Sequence, residues 1–421
     1  MVPTLSQAGF VAADRVGRLG TETVFAVSAE AAALAAKGKT IYPFHLGDLN
    51  IPTAEHIVEA SLKAIRDGKT TYCPNAGIAP LREALAADVG AARGVHYGVD
   101  NVAVQPGGKP VIGKFLLAVM NAGDEVLYPN PGFPIYSSLI EFFGGVALPY
   151  GYVEGADRFH LDLDGIERQI TSRTRVLILN DLHNPTAAEC TAEEHERLAE
   201  LVLKHDLIVL CDEAYFDVRF EGASRSLVSL PGMQERCVIL YTFSKKYAMT
   251  GWRLGAAIGP KPIIDIIVTL NVNWESCPNH FTQYGALAAL TGDQSGPRQI
   301  MARLHGRRDA ALSLLNATDG IRCLVPATTF YLYPNVTGAL KRLGCADHES
   351  FRRLVLDATG VSFCTRLHFG NALAGEAEYY LRLAYSGVST SQITEGLDKL
   401  RAFVNAGGPT GPHGTPEEKR Q

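Results

Sequence analysis

A lysine flanked by hydroxyl residues stands in Thr242-Phe-Ser-Lys-Lys-Tyr-Ala-Met-Thr-Gly-Trp-Arg-Leu-Gly255, with Arg253 eight residues beyond Lys245. That set suits a phosphorylated aldehyde. The amine condenses to a Schiff base, while the Thr242 and Ser244 hydroxyls and the Arg253 guanidinium hold the phosphate. The nearby cation is expected to lower the lysine's pKa, keeping part of the amine neutral and nucleophilic. Taken alone, the segment reads equally well as a solvated loop with an incidental Lys-Lys pair.

It has companions. Leu207–Cys211, an apolar run, ends in Asp212-Glu213-Ala214-Tyr215. A carboxylate at that point can pair with a pyridinium nitrogen and keep the ring electron-accepting. The Tyr215 phenol can bond the ring's 3′-oxygen, and so can Asn184 of His183-Asn184-Pro185-Thr186. A lone strand-end Asp more often serves a turn or cap, and a lone Asn-Pro a turn. Gln105-Pro106-Gly107-Gly108-Lys109 lies between a strand and a helix. Glycines there free backbone N–H groups to cradle a phosphate at a helix N-terminus. Phe133, in Asn130-Pro131-Gly132-Phe133-Pro134, follows another strand end and can stack on an aromatic ring, though core packing is its plainer role.

The elements that position these residues alternate. Val102–Val104, Glu125–Tyr128, Arg175–Leu179, Leu207–Cys211 and Val238–Tyr241 read as strands buried on both faces. Helical patterns such as Lys114–Asn121 and Thr191–His205 lie between them, and Thr191 with Glu194 forms a capping-box signature. The fold class is therefore α/β, with a mainly parallel sheet sandwiched by helices and its chemistry in the loops beyond the strands' carboxyl ends. Ser28–Lys37, Glu349–Ala358 and Ser391–Asn405 read as helices of a smaller α+β domain built from both chain ends. The expected division is an N-terminal arm and part of the small domain over 1–53, a large domain over 54–300, the C-terminal small domain over 301–405, and a disordered tail over 406–421.

Composition narrows the class. With 47% hydrophobic and 20% charged residues in 421, the chain reads as an ordinary globular protein with room for a large core. A net charge of −5 argues against nucleic acid or an anionic membrane surface as partner. No apolar run is long enough to span a bilayer, and Met1–Phe10 lacks the basic flank of a secretory signal. The eight cysteines are scattered with no C-x-x-C pair, which points to reduced thiols, no metal site and a cytoplasmic location.

Together the motifs resemble the fold-type I, class I/II aminotransferases that use pyridoxal phosphate (PLP), the aspartate aminotransferase superfamily. Segments match in the family's order: Leu46-Gly47-Asp48, Tyr72-Cys-Pro-Asn-Ala-Gly77 with Leu81-Arg82, Gly107-Gly108-Lys109, His183 to Thr186, Asp212 to Tyr215, Ser244-Lys245 with Gly251-Trp252-Arg253, and Leu381-Arg382-Leu383. The resemblance implies that Lys245 carries PLP and shuttles the proton between substrate Cα and cofactor C4′, with Lys246 a solvated or packing neighbour. It implies that Asp212 pairs with the pyridine nitrogen, that Tyr215 and Asn184 meet the 3′-oxygen, and that Phe133 stacks on the ring. Gly107, Gly108, the Lys109 backbone, Thr242, Ser244 and Arg253 would hold the phosphate. Tyr72 would reach the phosphate of a neighbouring subunit, implying a homodimer with shared active sites. Arg382 would clamp the substrate α-carboxylate, with Gly47 and Asn184 lining the same pocket. The implied reaction moves an α-amino group between an amino acid and a 2-oxo acid by a ping-pong mechanism.

The substrate is less plainly written. In the family, the lysine of Gly-Gly-Lys can reach a side-chain carboxylate, so Lys109 keeps an aspartate-specific enzyme open. An arginine from the partner subunit does this in other members, and Val272 occupies its register here. Glu22 and Val24 stand where lysine-type relatives carry small hydroxyl residues, and Asn273-Trp274-Glu275-Ser276 is unusual. Glu22 and Glu275 would repel an acidic side chain, which favours a basic or large neutral amino acid. Leu182 and Ala187 replace the family's usual Pro and Gly around Asn184. Eliminations, cyclisations and oxidations of amino acids use the same scaffold and residues. A non-catalytic effector module would not need Lys245, and a nicotinamide-binding Rossmann enzyme would need a Gly-x-Gly-x-x-Gly turn that the chain lacks.

Overall fold

Apolar residues facing both ways along short strands force a sheet covered on both sides, and seven strands build it. The computed structural model describes residues 11–20 and 22–408. Across the sheet the order is Val102–Gln105, Gly255–Ile258, Cys237–Thr242, Ile208–Asp212, Thr174–Leu179, Glu125–Pro129 and Val146–Tyr150. All pairings are parallel except those of Gly255–Ile258, which runs antiparallel to both neighbours.

Successive strand residues alternate between two apolar layers. Leu177, Val209, Cys211 and Ile239 pack with Leu85 and Val89 of helix Ala79–Arg93 and Leu198 and Val202 of helix Ala192–Lys204. Val176, Ile178, Leu210, Val238 and Leu240 pack on the other face. There they meet Ile112, Phe115 and Leu116 of helix Gly108–Val119 and Ile264 and Ile267 of helix Lys261–Trp274. Each such side chain contributes about 1.5–3 kcal/mol by leaving water. The expected capping box forms: the Thr191 hydroxyl accepts from Glu194 N at 3.0 Å, and the Glu194 carboxylate accepts from Thr191 N at 2.7 Å.

Two strands of this sheet escape the sequence pattern. Gly255-Ala-Ala-Ile258 has too little apolar bulk to look like a strand, yet a Cβ on Gly255 would lie 2.6 Å from the Tyr241 carbonyl oxygen and 3.1 Å from the Gly107 carbonyl carbon. Small residues are what let it fit. Val146–Tyr150 is one of the two edge strands, with Val146 exposed and Pro149 tolerated because an edge needs fewer donors.

A second apolar core joins Tyr42, Phe44 and Ile51 to Leu304, Phe330, Phe351, Val355, Leu383 and Leu397. Strand Tyr42–Pro43 pairs in parallel with Val361–Ser362, so the N-terminal segment and the C-terminal third share this core. Strand Leu381–Ala384 lies between Tyr331–Leu332 and Cys364–Thr365, antiparallel to both. Helices Val24–Ala35, His348–Thr359 and Thr390–Asn405 occur where helices are expected. Of the expected tail, 406–408 close the last helix, with Gly408 N donating to Phe403 O at 3.1 Å. Residues 409–421, and the Met1–Phe10 stretch, lie outside the described residues. Among the described residues no helix is long and apolar enough to cross a membrane.

The Gly255 packing predicts that Gly255→Ala loses about 1–3 kcal/mol of stability, the usual cost of overpacking. Urea unfolding followed by tryptophan fluorescence and circular dichroism checks it.

Candidate active site

The carboxyl ends of four parallel strands and the glycine loop surround a cavity of about 350 Å³, to which the second core contributes Tyr331, Phe369 and Arg382. Lys245 lines it, three residues beyond strand Cys237–Thr242. Its Nζ donates to the Gly47 carbonyl oxygen at 3.0 Å, and lies 5.3 Å from the centre of the Phe330 ring. Burial lowers its pKa to about 8, with Arg382 and Arg253 pushing the same way and Asp48 and Asp212 opposing. The neighbouring cation expected from sequence contributes, but desolvation is the larger cause. Lys246 points elsewhere and pairs with Asp217 at 3.1 Å.

Asp212 ends strand Ile208–Asp212 and is buried. One carboxylate oxygen accepts from the Tyr136 hydroxyl at 2.5 Å and the other from Ala214 N at 3.2 Å. Burial raises its pKa to about 6, while those two bonds and the Lys245 charge pull it down. Among the described residues it forms no ion pair. Tyr136 carries no motif in the sequence. Its only signal is its place three residues after Phe133, as the second residue of helix Ile135–Phe142, and the two rings meet edge to face at 5.8 Å.

Asn184 and Arg382 come together across 198 residues of sequence, the guanidinium donating to Asn184 Oδ1 at 3.2 Å. Arg382 also donates to the His45 carbonyl at 2.5 Å and lies between the Tyr331 and Phe369 rings, each centre 4.6 Å away. It is buried, its Nε has no partner, and no carboxylate pairs with it among the described residues. A buried, unpaired guanidinium is costly unless something anionic completes it. Tyr215 lines the cavity, and its hydroxyl shares a 2.6 Å bond with Tyr331, a partner that no motif announces. A Cβ on Gly47 would lie 2.3 Å from that same Tyr331 oxygen, so glycine is needed for the close approach.

Gly107 (φ 101°) precedes helix Gly108–Val119, and a Cβ on it would lie 2.3 Å from an Arg253 guanidinium nitrogen. The loop, a helix N-terminus and the guanidinium thus close around one point, and the Thr242 and Ser244 hydroxyls are joined to each other at 2.9 Å beside it. A phosphate dianion fits that set of donors. Phe133 and Lys109 line the cavity. Tyr72 does not: it is 85% exposed on this chain's surface.

Lys109 Nζ pairs with the Glu22 carboxylate inside the cavity lining. Glu275 pairs with Lys114, a fully buried lysine that also donates to Gln105 Oε1 at 2.9 Å and Asn271 Oδ1 at 2.6 Å. Both glutamates therefore already hold cations of this chain. In the Asn184 loop, Leu182 and Ala187 each have φ 56°. Proline, fixed near −65°, could not occupy the first position, so the loop's course differs from one built on Pro and Gly.

Residues 41–400 match the family model for "Aminotransferase class I and II". The aspartate aminotransferase of Geobacillus stearothermophilus is 30% identical, over 94% of this chain and 99% of that protein. The crystal structure of the aspartate aminotransferase from Rhizobium meliloti superposes with a TM-score of 0.87 at 28% identity, covering 94% of this chain and 99% of that one. An alanine aminotransferase from Pyrococcus furiosus matches equally well, at TM-score 0.87, 27% identity and coverages of 94% and 100%. The chain belongs to the class I and II aminotransferase family. It is a PLP-dependent enzyme of fold type I that moves an α-amino group between an amino acid and a 2-oxo acid.

The Tyr136 bond predicts a Tyr136→Phe phenotype. Without the hydroxyl, the Asp212 carboxyl of the unliganded site titrates above about 6, so the acid limb of PLP binding moves to higher pH. PLP affinity falls about ten- to a hundredfold, the weight of one hydrogen bond to a charged group. Spectral titration of the apoprotein with PLP across a range of pH measures both.

Proposed function

We propose that PLP lies in this cavity with its aldehyde at Lys245, its ring nitrogen at Asp212, its 3′-oxygen at Tyr215 and Asn184, and its phosphate at Gly107, Gly108, the Lys109 backbone, Thr242, Ser244 and Arg253. The meeting of Lys245 and Arg382 in one cavity lining, with no carboxylate pairing Arg382 among the described residues and with Asp212 two residues before the lining residue Ala214, carries this reading. Bound there, PLP supplies a ring that takes up the electrons released at the substrate's Cα.

The chain's own groups do the rest. Arg382 holds the substrate α-carboxylate and Asn184 orients that guanidinium, which fixes the Cα–H bond's direction. Lys245 Nζ, once released by the incoming amine, removes the Cα proton and returns it at C4′. Burial in this site, which lowers its pKa to about 8 before any ligand binds, favours the neutral amine that the first half of that transfer needs. Asp212 keeps its negative charge through the Tyr136 bond and so holds a proton on the ring nitrogen. Phe133 covers one face of the ring. Tyr72, exposed and remote from its own cavity, supports a homodimer in which it completes the partner's site, and eight free cysteines support a cytoplasmic location.

With Glu22 and Glu275 both paired, the substrate side chain supported best is neutral, since mainly apolar residues line the cavity. A second reading, aspartate, draws on Lys109 and on the names of the relatives.

Titrating the holoenzyme's visible spectrum with a panel of amino acids tests the assignment. A suitable donor converts the cofactor to its amine form and releases a 2-oxo acid. Lys245→Ala abolishes that conversion, while a Lys245→Ala protein that turns over at the wild-type rate overturns the assignment. Arg382→Lys loses the bidentate grip and raises KM about ten- to a hundredfold with the cofactor spectrum retained. PLP capture by the apoenzyme quickens about tenfold between pH 7 and 9, because the Lys245 amine loses its proton near pH 8; stopped-flow absorbance reads the rate.

A further inference from the structure

In the cavity, Arg382 accounts for one substrate carboxylate, which leaves the remaining charged lining to meet the side chain. Lys245 apart, that lining is Asp48, Lys109 and Glu22. Asp48 is occupied: its carboxylate accepts from the Thr250 hydroxyl and from Leu49 N, both at 2.8 Å. Lys109 is then the one cation in the lining suited to a second carboxylate. Glu22 already holds it, and of the two side chains Glu22 is the less exposed, 16% against 47%.

The glutamate is also fixed in place. The segment before it is tied to helix Ile135–Phe142, with Gly20 N donating to the Ser138 hydroxyl at 2.9 Å and Arg18 reaching the Glu141 carbonyl at 3.4 Å. Directly after it, helix Val24–Ala35 turns Val24 towards Phe369 and Leu46, the apolar part of the same wall. The carboxylate therefore stands at the cavity between two anchored pieces, Arg18–Gly20 before it and helix Val24–Ala35 after it.

We propose that Glu22 sets the charge of the side chain this enzyme accepts, by neutralising Lys109 from within the substrate cavity. A dicarboxylic amino acid would have to take Lys109 from Glu22 and leave two carboxylates facing each other. A neutral side chain leaves the pair intact and lies against Phe133, Val24 and Phe369. Discrimination of this kind works by penalising the wrong ligand.

This inference rests on the cavity being the PLP and substrate site, and the experiment separates the two. Holoenzyme, Glu22→Gln and the smaller Glu22→Ser are each titrated by absorbance and assayed for kcat/KM with aspartate and with leucine. The expected result is a rise of about tenfold or more in the aspartate-to-leucine ratio for both variants, with the cofactor spectrum retained. A Glu22→Gln/Lys109→Met double variant loses that gain. A ratio unchanged within about twofold in both variants overturns the role of Glu22 while leaving the site reading intact, as does a wild-type enzyme that already prefers aspartate. Absence of cofactor conversion by every amino acid in the wild-type protein overturns both.

Discussion

A carboxylate shut away from water at the end of a central strand sets the terms for the rest of this structure. Asp212 has no cation of its own among the described residues, and burial alone would tend to neutralise it. Its charge survives through one tyrosine hydroxyl, one backbone amide and the nearby lysine. Each of those comes from a different part of the fold. The helix after Glu125–Pro129 brings Tyr136, the turn after Ile208–Asp212 brings Ala214 N, and the next strand over leads to Lys245. The strand order is what makes the three neighbours. Arg382 mirrors the arrangement from the other core, a buried cation with no anionic partner among the described residues.

Much of this was legible in the residues, because strand-end chemistry leaves short, ordered marks: Gly107-Gly108, His183-Asn184-Pro185, Asp212 to Tyr215, Ser244-Lys245 and Arg253. The alternating strands and helices and the capping box at Thr191 were legible for the same reason. The partners of those residues were not. Tyr136, Tyr331 and the His45 carbonyl act through contacts between distant segments, and a phenol in an apolar stretch looks like core. Gly255–Ile258 was hidden because a strand squeezed between two backbones needs small residues, which erase the apolar signal. The destinations of Glu22 and Glu275 were equally hidden. A charge in sequence does not say what it faces.

Those destinations show an economy of charge along one helix. Gly108–Val119 carries Lys109 at its first turn and Lys114 within, and each meets a glutamate from elsewhere. With both ammonium groups matched, the positive field at Gly107 and Gly108 comes from backbone amides and the Arg253 guanidinium, which are fixed in direction and cannot be withdrawn. A helix whose lysines were free would draw anions to its sides as well as to its end.

The reversed strand Gly255–Ile258 has a kinetic consequence. Gly255 pairs with both Gln105 and Thr242, so the glycine loop and the lysine loop adjoin only after residues 150 apart in the chain have met. Contacts of such long separation close late in folding, after the local helices have formed. A dianion held where that strand begins, as proposed for the cofactor phosphate, would tie this long-range junction shut, so that affinity for phosphate would also be resistance to unfolding.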